Sequence, residues 1–299
     1  MTSAQELNNF NCCSLCSRDS LKILKNYSKD NLVQCEDCSF IFSIKKPTQE
    51  ELNKVYENYS RGHEITDTTK IKNIAIAKNI LSFNPSMNSC LDIACGAGHL
   101  LEAFRELGVK TFGTEHESGK QVLVDKGIEF IEGEFFPLTS NKFDLIIFTE
   151  AIEHINDQIK FISNCKTLLN PGGLIYMTTP NVCSLEKRLL RSEWGMFVYP
   201  EHLSYYSPKT IDILHKQEGF NKVFVRTENI SMYRLVEFFN RRKKNISSDH
   251  SDLSPLEVSD KVQDLISKKP FLSSVKNLIN AILNFFGLGT SLISLYRKE

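Results

Sequence analysis

From residue 89 onward, short β-rich runs alternate with amphipathic stretches. SCLDIA (89–94) reads as a strand, and GHLLEAFRELG (98–108) as a helix closed by Gly108. VKTFGT (109–114) is a second strand, SGKQVLVDKG (118–127) a helix closed by Gly127, and IEFIEG (128–133) a third strand. FDLIIFT (143–149) is nearly all apolar, as in a strand buried on both faces. INDQIKFISNCKTLLN (155–170) has helical spacing, with apolar positions at 155, 159, 162, 165, 168 and 169. PGGLIYMTT (171–179) leads into a fifth strand, KTIDILHKQEG (209–219) is a helix, and FNKVFVRTE (220–228) a sixth strand. Such alternation predicts parallel pairing through right-handed crossovers, a doubly wound α/β sheet. Ligands then bind beyond the carboxyl ends of the strands.

The flanks read differently. LKILKNYSKDNLVQC (21–35) alternates enough for short strands, and residues 46–85 read as a helical linker or lid. Residues 229–289 form an insert: a polar stretch, RRKKNISSDHSDLSP, then FLSSVKNLINAILNFFG with a broad apolar helical face. The basic run at 241–244 reads as a solvated face. The segment 271–286 is the candidate for peripheral contact with a membrane or lipid carrier.

Composition changes this picture little. The 299 residues are 41% hydrophobic and 24% charged, with zero formal net charge and a pI near 7.0. Neutral charge argues against a nucleic-acid partner. No apolar run reaches the roughly 18 residues of a membrane span. The first residues lack a basic stretch followed by an apolar one, so a secretory signal is not expected and the cytoplasm is the expected compartment.

The cysteines do change it. Cys13 and Cys16 form one CxxC, Cys35 and Cys38 another, with residues 17–34 between them. This spacing suits a four-thiolate structural zinc site in a small ribbon over residues 1–45. Cys90, Cys95, Cys165 and Cys183 stand in apolar contexts as small core residues.

The loop LDIACGAGHL follows the first strand of the core and opens its first helix. Gly96 and Gly98 allow a tight turn and close backbone approach to a ligand. Asp92 at the strand end would repel a pyrophosphate and attract an ammonium group. Glu115, in FGTEHE, suits two ribose hydroxyls, and Glu134, in EGEF, borders the expected adenine. Ammonium plus ribose without phosphate describes S-adenosylmethionine (SAM) better than NAD.

LDIACGAGHLL, GTEHE, FDLIIFTEAIEHI and LLNPGGLIYMTTPN, in that order, are similar to the motif set of class I SAM-dependent methyltransferases, over about residues 88–228. The resemblance implies a Rossmann-like seven-stranded sheet whose last strand, TSLISLYRK (290–298), is antiparallel. His99 stands where that family often has a third glycine. The paired CxxC followed by FSIKKPTQEELNKVYENYSRG resembles the zinc module of sugar- and polysaccharide-pathway methyltransferases, including nucleotide-sugar C-methyltransferases. In those enzymes an HEHLSYFS-like element carries the proposed general base, and YPEHLSYYS (199–207) looks like it.

The resemblance implies His202 as base, a role its intrinsic pKa suits. Glu201 would orient it, and His154 would stand on the substrate side. Glu150 is grouped with the cofactor residues, and Tyr59, Tyr205 and Tyr206 with the acceptor. The implied acceptor is a nucleotide-linked or lipid-linked sugar. The rivals are a quinone or other small-molecule O-methyltransferase, a zinc-ribbon rRNA methyltransferase and a non-catalytic zinc-ribbon interaction protein. Oligomeric state stays open.

Overall fold

Two sheets organise the chain. The computed structural model of the protein describes residues 12–48, 50–52, 65–230 and 270–299. The expected Tyr56 and Tyr59, the basic run at 241–244 and much of the linker and insert lie outside the described residues.

The smaller sheet starts with β1 (Leu21–Ile23), β2 (Leu32–Cys35) and β3 (Ile41–Ser43), each antiparallel to the next. Its fourth strand comes from far along the chain: β9 (Ser204–Tyr205) pairs antiparallel with β3, Ile41 opposite Tyr205 and Phe42 opposite Ser204. The cysteine-bearing sheet therefore closes on the YPEHLSYYS segment.

The larger sheet holds β4 (Ser89–Asp92), β5 (Lys110–Gly113), β6 (Glu129–Phe130), β7 (Phe143–Thr149), β8 (Leu169–Pro180), β10 (Phe220–Glu228) and β11 (Ser291–Lys298). Their order is β10-β11-β8-β7-β4-β5-β6, with β11 antiparallel to both neighbours. This is the seven-stranded arrangement expected, with its reversed last strand. The order turns at β4, whose neighbours β5 and β7 are both parallel to it. The crevice of a doubly wound sheet opens above such a point.

Period-two alternation builds a core on each face. Leu145 and Ile147 face one layer with Leu174 and Tyr176. Ile146 and Phe148 face the other with Ile175 and Met177. Phe143, at the start of β7, packs with the second group, where the β7–β8 register is irregular. The first layer is covered by α1 (Asp67–Leu81), α2 (His99–Glu106) and α3 (Lys120–Asp125), through Ile80, Leu101, Phe104 and Leu123. The second is covered by α4 (Gln158–Leu168) and α6 (Pro208–Gln217), through Phe161, Cys165, Ile211 and Leu214.

Val33, Phe40 and Phe42 of the small sheet belong to that second core. Each such side chain contributes about 1.5–3 kcal/mol on burial. The small sheet's other face, with Leu32, Ile41 and Tyr205, packs on Trp194, Phe197 and Leu190, the last from α5 (Leu185–Leu190). The helix α7 (Pro270–Phe285) lies between β10 and β11 in sequence.

Candidate active site

The glycine loop leaves β4 through Asp92, Ile93 and Ala94. Ala94 takes φ 56°, a left-handed conformation that L side chains rarely adopt. Glu150, just past the end of β7, does the same at φ 51°. Strained non-glycine residues at two adjacent strand ends mark the place where a site is built. The register puts Asp92 opposite Gly113 of β5 and Ile147 of β7, so the three strand ends lie side by side.

Asp92 is 2% exposed, and its Oδ1 is buried with no hydrogen-bond partner among the described residues. Burial and the nearby Glu115 carboxylate push its pKa up to about 8. A buried carboxyl oxygen without a donor is costly unless a cation supplies one. Glu115 accepts from the Gly96 N–H at 2.7 Å and the His116 N–H at 3.0 Å, tying the glycine loop to the end of β5. Thr114 accepts from the Ala94 N–H and donates to the Glu134 carbonyl. Glu134 thus enters through its backbone.

The two glycines do different work. A Cβ on Gly96, at φ 56°, would meet nothing within 4 Å, so its face is open to a ligand. A Cβ on Gly98 would stand 2.6 Å from Ile128 Cδ1 and 2.9 Å from Leu123 Cδ2. Gly98 thus also makes room for the side chains of Leu123 on α3 and of Ile128 just before β6. Sequence reading missed Lys126, whose ammonium reaches the Ala97 carbonyl at 2.8 Å and Glu102 at 2.7 Å. It pins the loop from the side of α2, where His99 also contacts Glu102.

A second group forms past β7. His154 Nδ1–H donates to the Glu201 carbonyl at 2.9 Å, and His202 Nδ1–H donates to the Met196 carbonyl at 2.9 Å. The rings lie edge to face, 4.9 Å between centroids. With Nδ1 committed, the neutral His202 ring keeps its lone pair on Nε2. Burial lowers the pKa of His154, and burial with the neighbouring His154 lowers that of His202 to about 4. Glu201, half-buried and pushed upward by desolvation, meets His154 through its backbone carbonyl. The Met196 carbonyl orients His202, where the sequence suggested the Glu201 carboxylate.

Glu153 is 1% exposed. Its Oε2 accepts from Thr179 Oγ1 at 2.9 Å, and its Oε1 has no partner among the described residues. Burial and then Glu150 raise it well above the carboxylate range. Ligand atoms of Glu153, His154 and His202 lie within 4.8 Å of one another, a group able to hold a proton or a metal ion. Glu150 accepts from Thr178 Oγ1 at 2.8 Å.

The tyrosines are not on an open wall. Tyr205 donates its hydroxyl to the His202 carbonyl at 3.1 Å. Tyr206 is fully buried, its ring 5.3 Å from Phe40. Both brace the histidine segment from behind, because β9 is a strand of the small sheet.

The four cysteines converge. Cys13 and Cys38 Sγ are 3.7 Å apart, Cys16 and Cys35 Sγ are 3.6 Å apart, and all four lie within 4.8 Å of one another. A tetrahedron with metal–sulfur bonds of about 2.3 Å has edges near 3.8 Å, so the thiols fit one tetrahedral ion.

A family model described as a methyltransferase domain matches residues 70–225. The human mitochondrial ubiquinone biosynthesis O-methyltransferase is 30% identical over 152 residues, which is 44% of this chain and 41% of that protein. The ubiquinone biosynthesis O-methyltransferase of Bradyrhizobium sp. is 28% identical over 151 residues, 43% of this chain and 60% of that one. The chain thus spans between two fifths and three fifths of these relatives' length. A SAM-dependent methyltransferase structure from Archaeoglobus fulgidus superposes with TM-score 0.50 at 16% identity, covering 77% of this chain and 94% of that one. A Pyrococcus horikoshii protein also gives 0.50, at 14% identity, with 82% and 99% covered. At these identities the structures establish the fold.

Proposed function

The chain belongs to the methyltransferase-domain family, and from that premise we propose that His202 is the general base of a methyl transfer to a small hydroxyl-bearing acceptor. The coarser statement, a SAM-dependent methyltransferase, rests on the matched family and the shared fold.

The residues present fit the cofactor. Asp92 Oδ1, buried and unpartnered, suits the ammonium end, and Gly96 leaves room for close approach. Glu115, at the end of β5, suits the ribose. Bound SAM supplies an electrophilic methyl group. The chain's own work is then to hold the acceptor and remove its proton.

The observation that carries the proposal is the His202 anchor. The carbonyl of Met196 fixes the tautomer, and a pKa of about 4 keeps the ring unprotonated at neutral pH. His202 Nε2 takes the hydroxyl proton. His154, held on the Glu201 carbonyl, is the partner ring beside it. A low pKa makes His202 a weak base, so it works by position rather than by strength.

For the acceptor, the names of the curated relatives support a quinol or related ring hydroxyl. A second reading, a nucleotide-linked or lipid-linked sugar, is favoured by one observation. The small sheet that braces the histidine segment through β3 and β9 begins outside the matched residues 70–225. The four-cysteine cluster in that sheet is proposed to hold structural zinc. The acceptor test is direct: supply methyl-labelled SAM with a catechol-type quinol and, separately, with nucleotide sugars. Label on the quinol alone selects the first reading, label on a sugar alone the second. Label on neither acceptor, with SAM bound, rejects both.

A further inference from the structure

Helix α7 is held by one face. Asn284 Oδ1 accepts from the Thr227 N–H at 2.9 Å, Asn280 Oδ1 from the Asn229 N–H at 3.1 Å, and Leu283 between them is 6% exposed. These contacts fix the helix's rotation. They turn Leu278, Ile279, Ile282, Phe285 and Phe286 outward, at 63%, 42%, 50%, 83% and 63% exposure. Positions i, i+1, i+4, i+7 and i+8 make one stripe, wider than scattered surface apolar residues.

The charge near the stripe is mostly basic: Glu228, beside the residues that hold α7, is paired with Arg226. From Leu265 to Lys298 the sequence has no Asp or Glu, and it carries Lys268, Lys269 and Lys276. The turn after α7 is tied to α5, whose Leu185 N–H donates to the Leu288 carbonyl at 2.9 Å. Helix α5 and the turn after it add Lys187, Arg188 and Arg191, the last two exposed. The acids there are Glu186, which is buried and accepts from Thr290, and Glu193, which is exposed. Apolar side chains beside the cations of α5 match an anionic lipid surface. Pairing with a second copy through this face would bring like charges together.

The turn after α7 is also tied to the back of the histidine segment. Buried Asn181 donates to the carbonyls of Gly287 at 2.9 Å and Gly289 at 2.7 Å, and it bridges to Tyr206 beside the histidine segment. We infer that the outer face of α7, with the basic side chains of α5, docks the protein on an anionic phospholipid surface. Vesicle binding is read without acceptor or turnover, so it stands or falls apart from the assignment of the acceptor.

The test is cosedimentation of the full chain with phosphatidylcholine vesicles, with and without roughly one quarter phosphatidylglycerol. The expected result is partitioning about 10-fold stronger onto the anionic vesicles, weakened by salt. The double variant Phe285→Ser, Phe286→Ser should lose about 10-fold or more, with SAM affinity unchanged as the check on folding. Absent or equal partitioning of the native chain, or a variant that partitions as the native chain does, overturns the proposal. So does a lipid-free dimer that the variant dissociates, which assigns the face to a second copy.

Discussion

His202 and Asp92 are opposite cases of the same physics. Burial disfavours charge, so it lowers the imidazole and raises the carboxyl. For His202 this removes the usual acid limb near pH 6.5. The rate constant kcat/KM should stay flat down to about pH 5 and fall only toward pH 4, as a pH–rate profile would read. A limb centred near 6.5 would mean that a different, exposed group is the base. Replacing His202 by Ala should cut turnover about 100- to 10,000-fold with SAM affinity kept. For Asp92, a carboxyl protonated at neutral pH must lose its proton when it meets an ammonium group. SAM binding at pH 7 should therefore release about one proton, seen by calorimetry in buffers of different ionisation enthalpy, and affinity should rise with pH up to about 8. Asp92→Asn should weaken SAM about 10- to 100-fold. Unchanged affinity would assign the ammonium elsewhere. The residue types were legible in the sequence, since an acid after a strand and a histidine before a helix announce chemistry. Their anchoring was not. The Met196 and Glu201 carbonyls are backbone groups, and no residue letter records where a carbonyl points.

The element that changes the account is the small sheet. Local spacing revealed the two CxxC turns and the strands between them. It could not reveal that β3 pairs with β9, about 160 residues later, because a two-residue strand carries no pattern of its own. That pairing couples the cysteines to the histidine segment. Stripping the proposed zinc from the thiols, or replacing Cys38 by Ser, should therefore lower the melting temperature and raise the acceptor KM. SAM affinity should hold within about 2-fold, because Asp92, Gly96 and Glu115 belong to the other sheet. Loss of SAM binding in step with the metal would show that the two sheets do not act separately. Gly98 teaches the same point. Its letter suggested a ligand loop, and the letter alone did not show that Ile128 and Leu123 also pack against it.

At the scale of the molecule, the doubly wound sheet was readable because each strand–helix alternation permits one handedness of crossover, whereas the strand order was not. The antiparallel β11 came from family resemblance, and pairing with β8 and β10 bears it out. The buried histidines also set how the whole fold responds to acid. His202 and His215, the latter stacked 4.1 Å from Tyr296, are both lowered from 6.5 to about 4. Between those pH values the unfolded chain binds protons that the native chain does not, so stability falls as pH falls through that window. Each contributes a loss of roughly 3 kcal/mol by pH 4 and none above about pH 7, which denaturant midpoints across pH would show. The central claim is that this fold holds SAM and that His202 takes the acceptor's proton. The most direct measurement is transfer of labelled methyl from SAM to the quinol and nucleotide-sugar panel by the native chain and by His202→Ala, with SAM affinity measured on both. The account predicts transfer by the native chain to one acceptor class, a loss of at least about 100-fold in the variant, and equal SAM affinity. A variant that transfers methyl as fast as the native chain would contradict it.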